Sequence, residues 1–205
     1  MDHHAIQTVR YLLFLALLLI PTDLTKAELA TENECMVATV NPLATDAGVN
    51  AYRNGGNAID AAVAAALTLG VVDNHNSGLG GGCFVLIRLA DGNIIAIDGR
   101  EESPAAAHHD MYLRDGRPDT NLSQVGPLAV GVPGALKAYA MAIKNYGKHS
   151  LADLLLPAAE IAENGFALDR VYARKLKSKA EQLSLFEGSR NALLKPDGSV
   201  YEEGE

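Results

Sequence analysis

The 205-residue chain has no tryptophan, and aromatic residues make up only 5% of it, so a core must be built from aliphatic side chains and alanine. Cysteine is nearly as scarce. Cys35 and Cys83 stand alone, too few for the disulfide framework of a small secreted domain, and no C-x-x-C or His/Cys cluster marks a zinc site. One bridge between the two is geometrically open, but both sit in apolar, strand-like stretches, and buried free thiols are the favoured reading. A basic tract is also missing: 17 Lys and Arg face 25 Asp and Glu, and the net charge of −8 argues against nucleic acid as a partner. Long hydrophobic runs are absent but for Tyr11 to Ile20, about half the ~20 residues that a membrane span needs. Arg10 before that run, Pro21 after it and Thr25-Lys26-Ala27 make residues 1–27 read as an export signal cleaved after Ala27. The expectation is an exported protein, periplasmic or extracellular, with an uncleaved membrane anchor at residues 6–20 as the alternative.

What the chain does have is glycine in a telling place. Four glycines fall in the five positions from Gly78 to Gly82, where they permit positive φ and close approach of other groups at an entropic cost. A hairpin follows: Phe84 to Leu89 and Asn93 to Asp98 are β-rich runs around Ala90-Asp91-Gly92. Its second strand delivers Arg100 to the end where the glycines lie. Upstream, Cys35 to Val40 reads as a short strand, and Asn41-Pro42 as the cap and first residue of a helix closing at Gly55-Gly56, with Leu43, Ala47 and Ala51 on one face. Asn57 caps a second helix, Ala58 to Leu69, which is apolar nearly all round and therefore buried. Its one acidic residue, Asp60, reads as a first-turn capping group. Downstream, Ala105 to Asn121 is a surface excursion. Gly131-Val132-Pro133-Gly134 opens a helix over Ala135 to Tyr146, and Ser150 with Asp153 caps another over Leu151 to Asn164, with Pro157 as a point of kinking or interruption. Asp169 to Leu183 is a helix with a solvated charged face.

Among the residues that could carry chemistry, Arg100 leads. Guanidinium is a planar donor fork matched to a carboxylate, and the competing reading is a salt bridge to Glu101 or Asp98. The glycine run lacks the Lys-Ser/Thr ending of a phosphate loop and precedes a strand, which disfavours nucleotides. His108-His109-Asp110 reads as loop rather than as metal ligands, because adjacent residues rarely converge on one ion. No Gly-x-Ser-x-Gly elbow is present.

Taken in order, Met36-Val37-Ala38 with Pro42-Leu43-Ala44, Gly55 to Ala64, Gly78 to Phe84, Asp98 to Pro104, Gly131 to Gly134, Tyr146-Gly147 and Pro157 to Gly165 resemble the amino-terminal part of the large subunit of γ-glutamyltranspeptidases, or glutathione hydrolases. The resemblance implies an α+β fold, a partial N-terminal nucleophile hydrolase architecture of αββα layers lacking the small-subunit portion. On this reading residues 28–205 are an amino-terminal fragment of the large subunit. It implies transfer of a γ-glutamyl group from glutathione-like amides to water or amino acids without a cofactor or a metal. Arg100 matches the arginine that holds the α-carboxylate of the γ-glutamyl group. The family's nucleophile is a threonine freed at the amino terminus of the small subunit and activated by its own α-amine. No threonine follows Thr120, so the resemblance implies that this sequence holds no catalytic residue and needs a carboxyl-terminal small-subunit segment as partner. Cleavage after Ala30 would expose Thr31, but Glu28-Leu29-Ala30 is a poor signal-peptidase site. Two other readings stand beside this one: an inactive fragment or binding module on the same scaffold, and a related acylase acting on β-lactam side chains or polyglutamate.

Overall fold

The computed structural model describes residues 35–205; the expected export signal or anchor and Thr31 lie outside them. Helix α1 (Pro42–Arg53) starts where the sequence places it: the Asn41 side chain accepts the Leu43 N–H at 3.0 Å, and Pro42 occupies the first turn. Its buried stripe is Ala44, Gly48 and Ala51 rather than the expected Leu43, Ala47 and Ala51. The stripe follows the close approach of α2 (Ala58–Val72). A Cβ at Gly48 would lie 2.9 Å from the Ala61 carbonyl oxygen, so the smallest side chains must face that helix and Leu43 turns away. Residues 35–39 carry no strand, contrary to expectation, because no described segment supplies the ladder hydrogen bonds that would make one.

Strands β1 (Cys83–Arg88) and β2 (Ile94–Gly99) form the expected antiparallel hairpin, with Cys83 opposite Gly99 and Arg88 opposite Ile94. One face of it points inward with Val85, Ile87, Ile95 and Ile97 and packs on α3 (Ala135–Tyr146). Behind these lie α2 and α4 (Leu151–Asn164), and the shared core is mostly alanine and aliphatic: Val63, Ala64, Leu67, Ala138, Ala142, Ile143 and Leu154. The outward face is also apolar, yet uncovered by any described residue. Phe84 is 67% exposed, Leu86 75% and Ile94 69%. Helix α4 runs unbroken through Pro157.

The stretch from Ala105 to Asn121 is the expected excursion with one unforeseen element, a ribbon of β3 (Leu113–Arg114) and β4 (Arg117–Pro118). Asp115 and Gly116 between them both take positive φ, 52° and 73°, the torsions of a tight hairpin turn. Helices α5 (Arg170–Ser184) and α6 (Glu187–Leu193) close the chain, α5 burying Tyr172 and Leu176 beneath its charged face. Cys35 and Cys83 are free thiols.

One buried charge ties these elements together. Asp60 completes the expected capping box with Asn57, accepting its N–H at 2.8 Å. It also accepts the N–H groups of Lys148 and His149, each at 3.0 Å, and so pins the α3–α4 turn to the start of α2. Burial alone would raise the Asp60 pKa, but the N–H donors from Asn57, His149 and Lys148 outweigh it and hold the carboxyl below its ordinary value.

Candidate active site

The hairpin ends at Gly99, and Arg100 emerges one residue beyond it, exposed. Its own N–H donates to Asp98 Oδ1 at 3.0 Å, which turns the chain out of the strand. The guanidinium makes no ion pair or hydrogen bond with the described residues, so the salt bridge to Glu101 or Asp98 does not form there. Arg100 borders a cavity of about 270 Å³ whose polar wall is Asp98, Arg100, Glu102 and Lys137 and whose apolar side includes Ala138 and Met141. A larger cavity, about 630 Å³, lies between α4, α5 and α6 around Phe166, Tyr172 and Tyr201. No Lys, Arg or His lines it.

The glycine run is joined to the smaller cavity at Arg100 through its backbone. Gly81 C=O accepts the N–H groups of Gly134 and Ala135, both at 3.2 Å, which ties the loop to the start of α3. No residue from Gly78 to Gly82 takes positive φ, contrary to one expectation for the run. The loop before it is organised by residues that the sequence did not single out. Buried Asp73 accepts from Asn76 Nδ2 at 3.2 Å and from Ser77 Oγ at 3.3 Å, and its carboxylate lies 3.3 Å from His75 Nε2. The His75 ring meets Tyr172 edge-on, and the Tyr172 hydroxyl donates to Asn74 Oδ1 at 2.8 Å. A histidine after a helix end and a tyrosine 97 positions later share no local signal; only the fold brings them together.

Cys83 and Tyr139 lie close to each other between β1 and α3, both packed against the core. Burial pushes the Cys83 thiol up, and burial together with the nearby thiol pushes Tyr139 up to about 12. A thiol kept protonated at neutral pH is a packing group, not a nucleophile. His109 and Asp110 pair at 2.7 Å on the surface, with side chains 98% and 65% exposed.

The arrangement is therefore an exposed guanidinium, without a partner among the described residues, that lines a cavity beside a glycine loop and a helix start. Residues 44–205 match the family model described as gamma-glutamyltranspeptidase. The chain belongs to the γ-glutamyltranspeptidase family. It is 38% identical over 171 residues to the glutathione hydrolase proenzyme of Escherichia coli (strain K12), covering 83% of this chain and 30% of that protein. It is 39% identical over 184 residues to the acylase ACY 1 proenzyme of Pseudomonas sp. (strain V22), covering 85% of this chain and 32% of that one. The crystal structure of Helicobacter pylori γ-glutamyltranspeptidase superposes with a TM-score of 0.83 at 36% identity, over 87% of this chain and 51% of that chain. This γ-glutamyltranspeptidase-family chain thus spans about a third of the length of those curated relatives. Its fold is α+β, a portion of the N-terminal nucleophile hydrolase architecture.

Proposed function

We propose that this chain supplies the carboxylate-binding portion of a γ-glutamyltransferase and glutathione hydrolase, with Arg100 holding the α-carboxylate of the γ-glutamyl group. The observation that carries the reading is the guanidinium of Arg100, without a partner among the described residues, lining the 270 Å³ cavity. A bidentate fork in that position fixes the carboxylate in orientation as well as in place.

The nucleophile, on this proposal, is a threonine at the amino terminus of a small-subunit segment within the two thirds of its relatives' length that this chain does not span. Its hydroxyl adds to the γ-carbonyl while its α-amine takes the proton. The amide C–N bond breaks, the proton passes to the departing amine, and a γ-glutamyl ester remains. Water or an acceptor amine then attacks the ester and restores the threonine. The outer face of the hairpin, where no described residue covers Phe84, Leu86 and Ile94, supports the need for such a segment, since αββα layering sets a second sheet against the first. The export reading of residues 1–27 belongs to the same proposal and places the reaction outside the cytoplasm.

The test is hydrolysis of a chromogenic γ-glutamyl anilide by this chain alone and after co-expression with the carboxyl-terminal segment of the E. coli glutathione hydrolase. The expected result is release of the chromophore only from the assembled pair. A soluble assembled pair that leaves the anilide intact would overturn the proposal. The likeness to an acylase supports a second reading, a side-chain acylase acting on β-lactams, and cleavage of a β-lactam side chain in preference to the anilide would select it.

A further inference from the structure

Arg100 lies outside any strand and its guanidinium has no partner among the described residues, so the contacts that locate it are those of the main chain at residues 99–102. Two glycines touch that main chain directly. A Cβ at Gly82 would lie 2.7 Å from Arg100 Cα and 2.6 Å from the Glu101 nitrogen, and would also meet Glu101 Oε2. A Cβ at Gly134 would lie 2.6 Å from the Arg100 carbonyl oxygen and 2.8 Å from the Gly99 carbonyl carbon. Real Cβ atoms do not approach backbone inside 3.0 Å. Neither glycine takes positive φ, and Gly134 sits at −113°, so torsion does not call for glycine at either place. Only the missing side chain does. The bonds from Gly134 and Ala135 to Gly81 hold the two glycine faces together. A bridge between Glu102 and Val132, with N···O distances of 3.1 and 2.8 Å, closes the next position.

We infer that Gly82 and Gly134 are positioning residues for Arg100, two bare faces that grip its main chain and so set where the guanidinium meets a substrate carboxylate. The functional half of this inference rests on the carboxylate role proposed above for Arg100; the mechanical half does not.

The mechanical half is read on the full chain by NMR hydrogen exchange at the Glu102 amide, which donates to Val132, and at the Arg100 amide, which donates to Asp98. Gly80→Ala is the control, because a Cβ there meets nothing within 4 Å. Gly131→Ala is a milder perturbation, with contacts of 3.3 Å to Glu101 Cγ and to the Glu102 carbonyl oxygen. Gly82→Ala and Gly134→Ala are the severe ones. Exchange is expected to quicken in that order, by at least tenfold in the severe pair; a flat series overturns the grip. If the severe pair fails to fold, the step from Gly80→Ala to Gly131→Ala decides alone, expected at about threefold and refuted by none.

The functional half is read as KM for the γ-glutamyl anilide in the assembled pair, in the presence and absence of Arg100→Ala. Each severe glycine variant, or Gly131→Ala in their place, is expected to raise KM when Arg100 is present and to raise it no further when Arg100 is already alanine. KM increases that multiply across the two backgrounds would make the glycines structural only and overturn the inference. If Arg100→Ala leaves KM unchanged, the carboxylate role fails while the exchange series still stands or falls by itself.

Discussion

Replacing Asp60 by alanine tests the core of the fold, because the same chain contains its own control. Two helices carry the same capping box, Asn57 with Asp60 on α2 and Ser150 with Asp153 on α4. Asp153 is exposed and its side chain bonds to Ser150 alone, so Asp153→Ala should cost no more than the loss of one exposed capping contact. Asp60 is 0% exposed, and its carboxylate serves the N–H groups of Lys148 and His149 in addition to its local partner. Alanine would strand those two amides at about 1–3 kcal/mol each on top of the cap, a total of at least about 3 kcal/mol. That is a large share of the roughly 5–15 kcal/mol that holds a domain together. Urea unfolding followed by circular dichroism at pH 7 would show it as a midpoint lower by about 1 M or more, for a slope near 2 kcal/mol per M. Asp60→Asn should recover part of it, because an amide oxygen in the place of Oδ1 still accepts from Lys148 and His149 while the NH₂ is left facing the Asn57 N–H. Costs for Asp60→Ala and Asp153→Ala within about 0.5 kcal/mol of each other would refute the tertiary role of the carboxylate.

Arg100→Ala should raise KM for γ-glutamyl substrates in the assembled enzyme at least about tenfold, since a charge-assisted pair contributes about 1.5–3 kcal/mol and ~1.4 kcal/mol is one decade. Arg100→Lys should restore only part of it, and wild-type KM in both variants would reduce Arg100 to a surface residue. Stability should fall in acid as Asp60 protonates: its folded pKa is depressed, so its contribution is complete above the unfolded value near 4 and lost as pH drops through the folded one, an effect absent from Asp60→Asn. Tyr139 gives the opposite limb, because a folded pKa raised to about 12 leaves stability untouched below the unfolded pKa near 10 and erodes it from there upward. Tyr139→Phe should remove that alkaline loss, and an unchanged profile in it would exclude Tyr139 as the cause. If residues 1–27 are the export signal proposed above, amino-terminal sequencing of the mature protein should begin at Glu28; an intact Met1 would favour the anchor.

Local signals were legible where the partner lies within one helical turn. Both capping boxes, the proline start of α1 and the hairpin turn at Asp91-Gly92 depend on residues no more than a few positions apart, and the structure has each of them. What could not be read is set by distance along the chain. Lys148 and His149 reach Asp60 across 88 and 89 positions, and Tyr172 reaches Asn74 across 98, so no spacing announces them. The stripe on α1 was misjudged for a related reason: periodicity alone favours Leu43, but the partner helix comes so close at Gly48 that only small residues fit. The glycine run shows the same limit at the site. Its composition signalled unusual backbone, yet the need lies in steric approach at Gly82 and not in torsion, and only the position of Arg100 in space separates the two.

The hairpin carries that argument furthest. A sheet with one wet face alternates apolar and polar residues, whereas a strand buried on both sides reads as a continuous apolar run. Phe84 to Ile87 is such a run, and Ile94 to Ile97 is another. Of these two runs, Val85, Ile87, Ile95 and Ile97 join the core, while Phe84, Leu86 and Ile94 stand exposed on the other side. The two strands are thus written for two covered faces, and the same hairpin carries Arg100 at its end. Covering the second face and completing the pocket around Arg100 are, on the proposed function, one event: a segment that packs on Phe84 and Leu86 also arrives beside the guanidinium. Phe84→Ser with Leu86→Ser should therefore leave the isolated chain folded and more soluble while abolishing assembly with the carboxyl-terminal segment, measured by co-purification. Retained assembly in the double variant would show that the second face plays no part in completing the site.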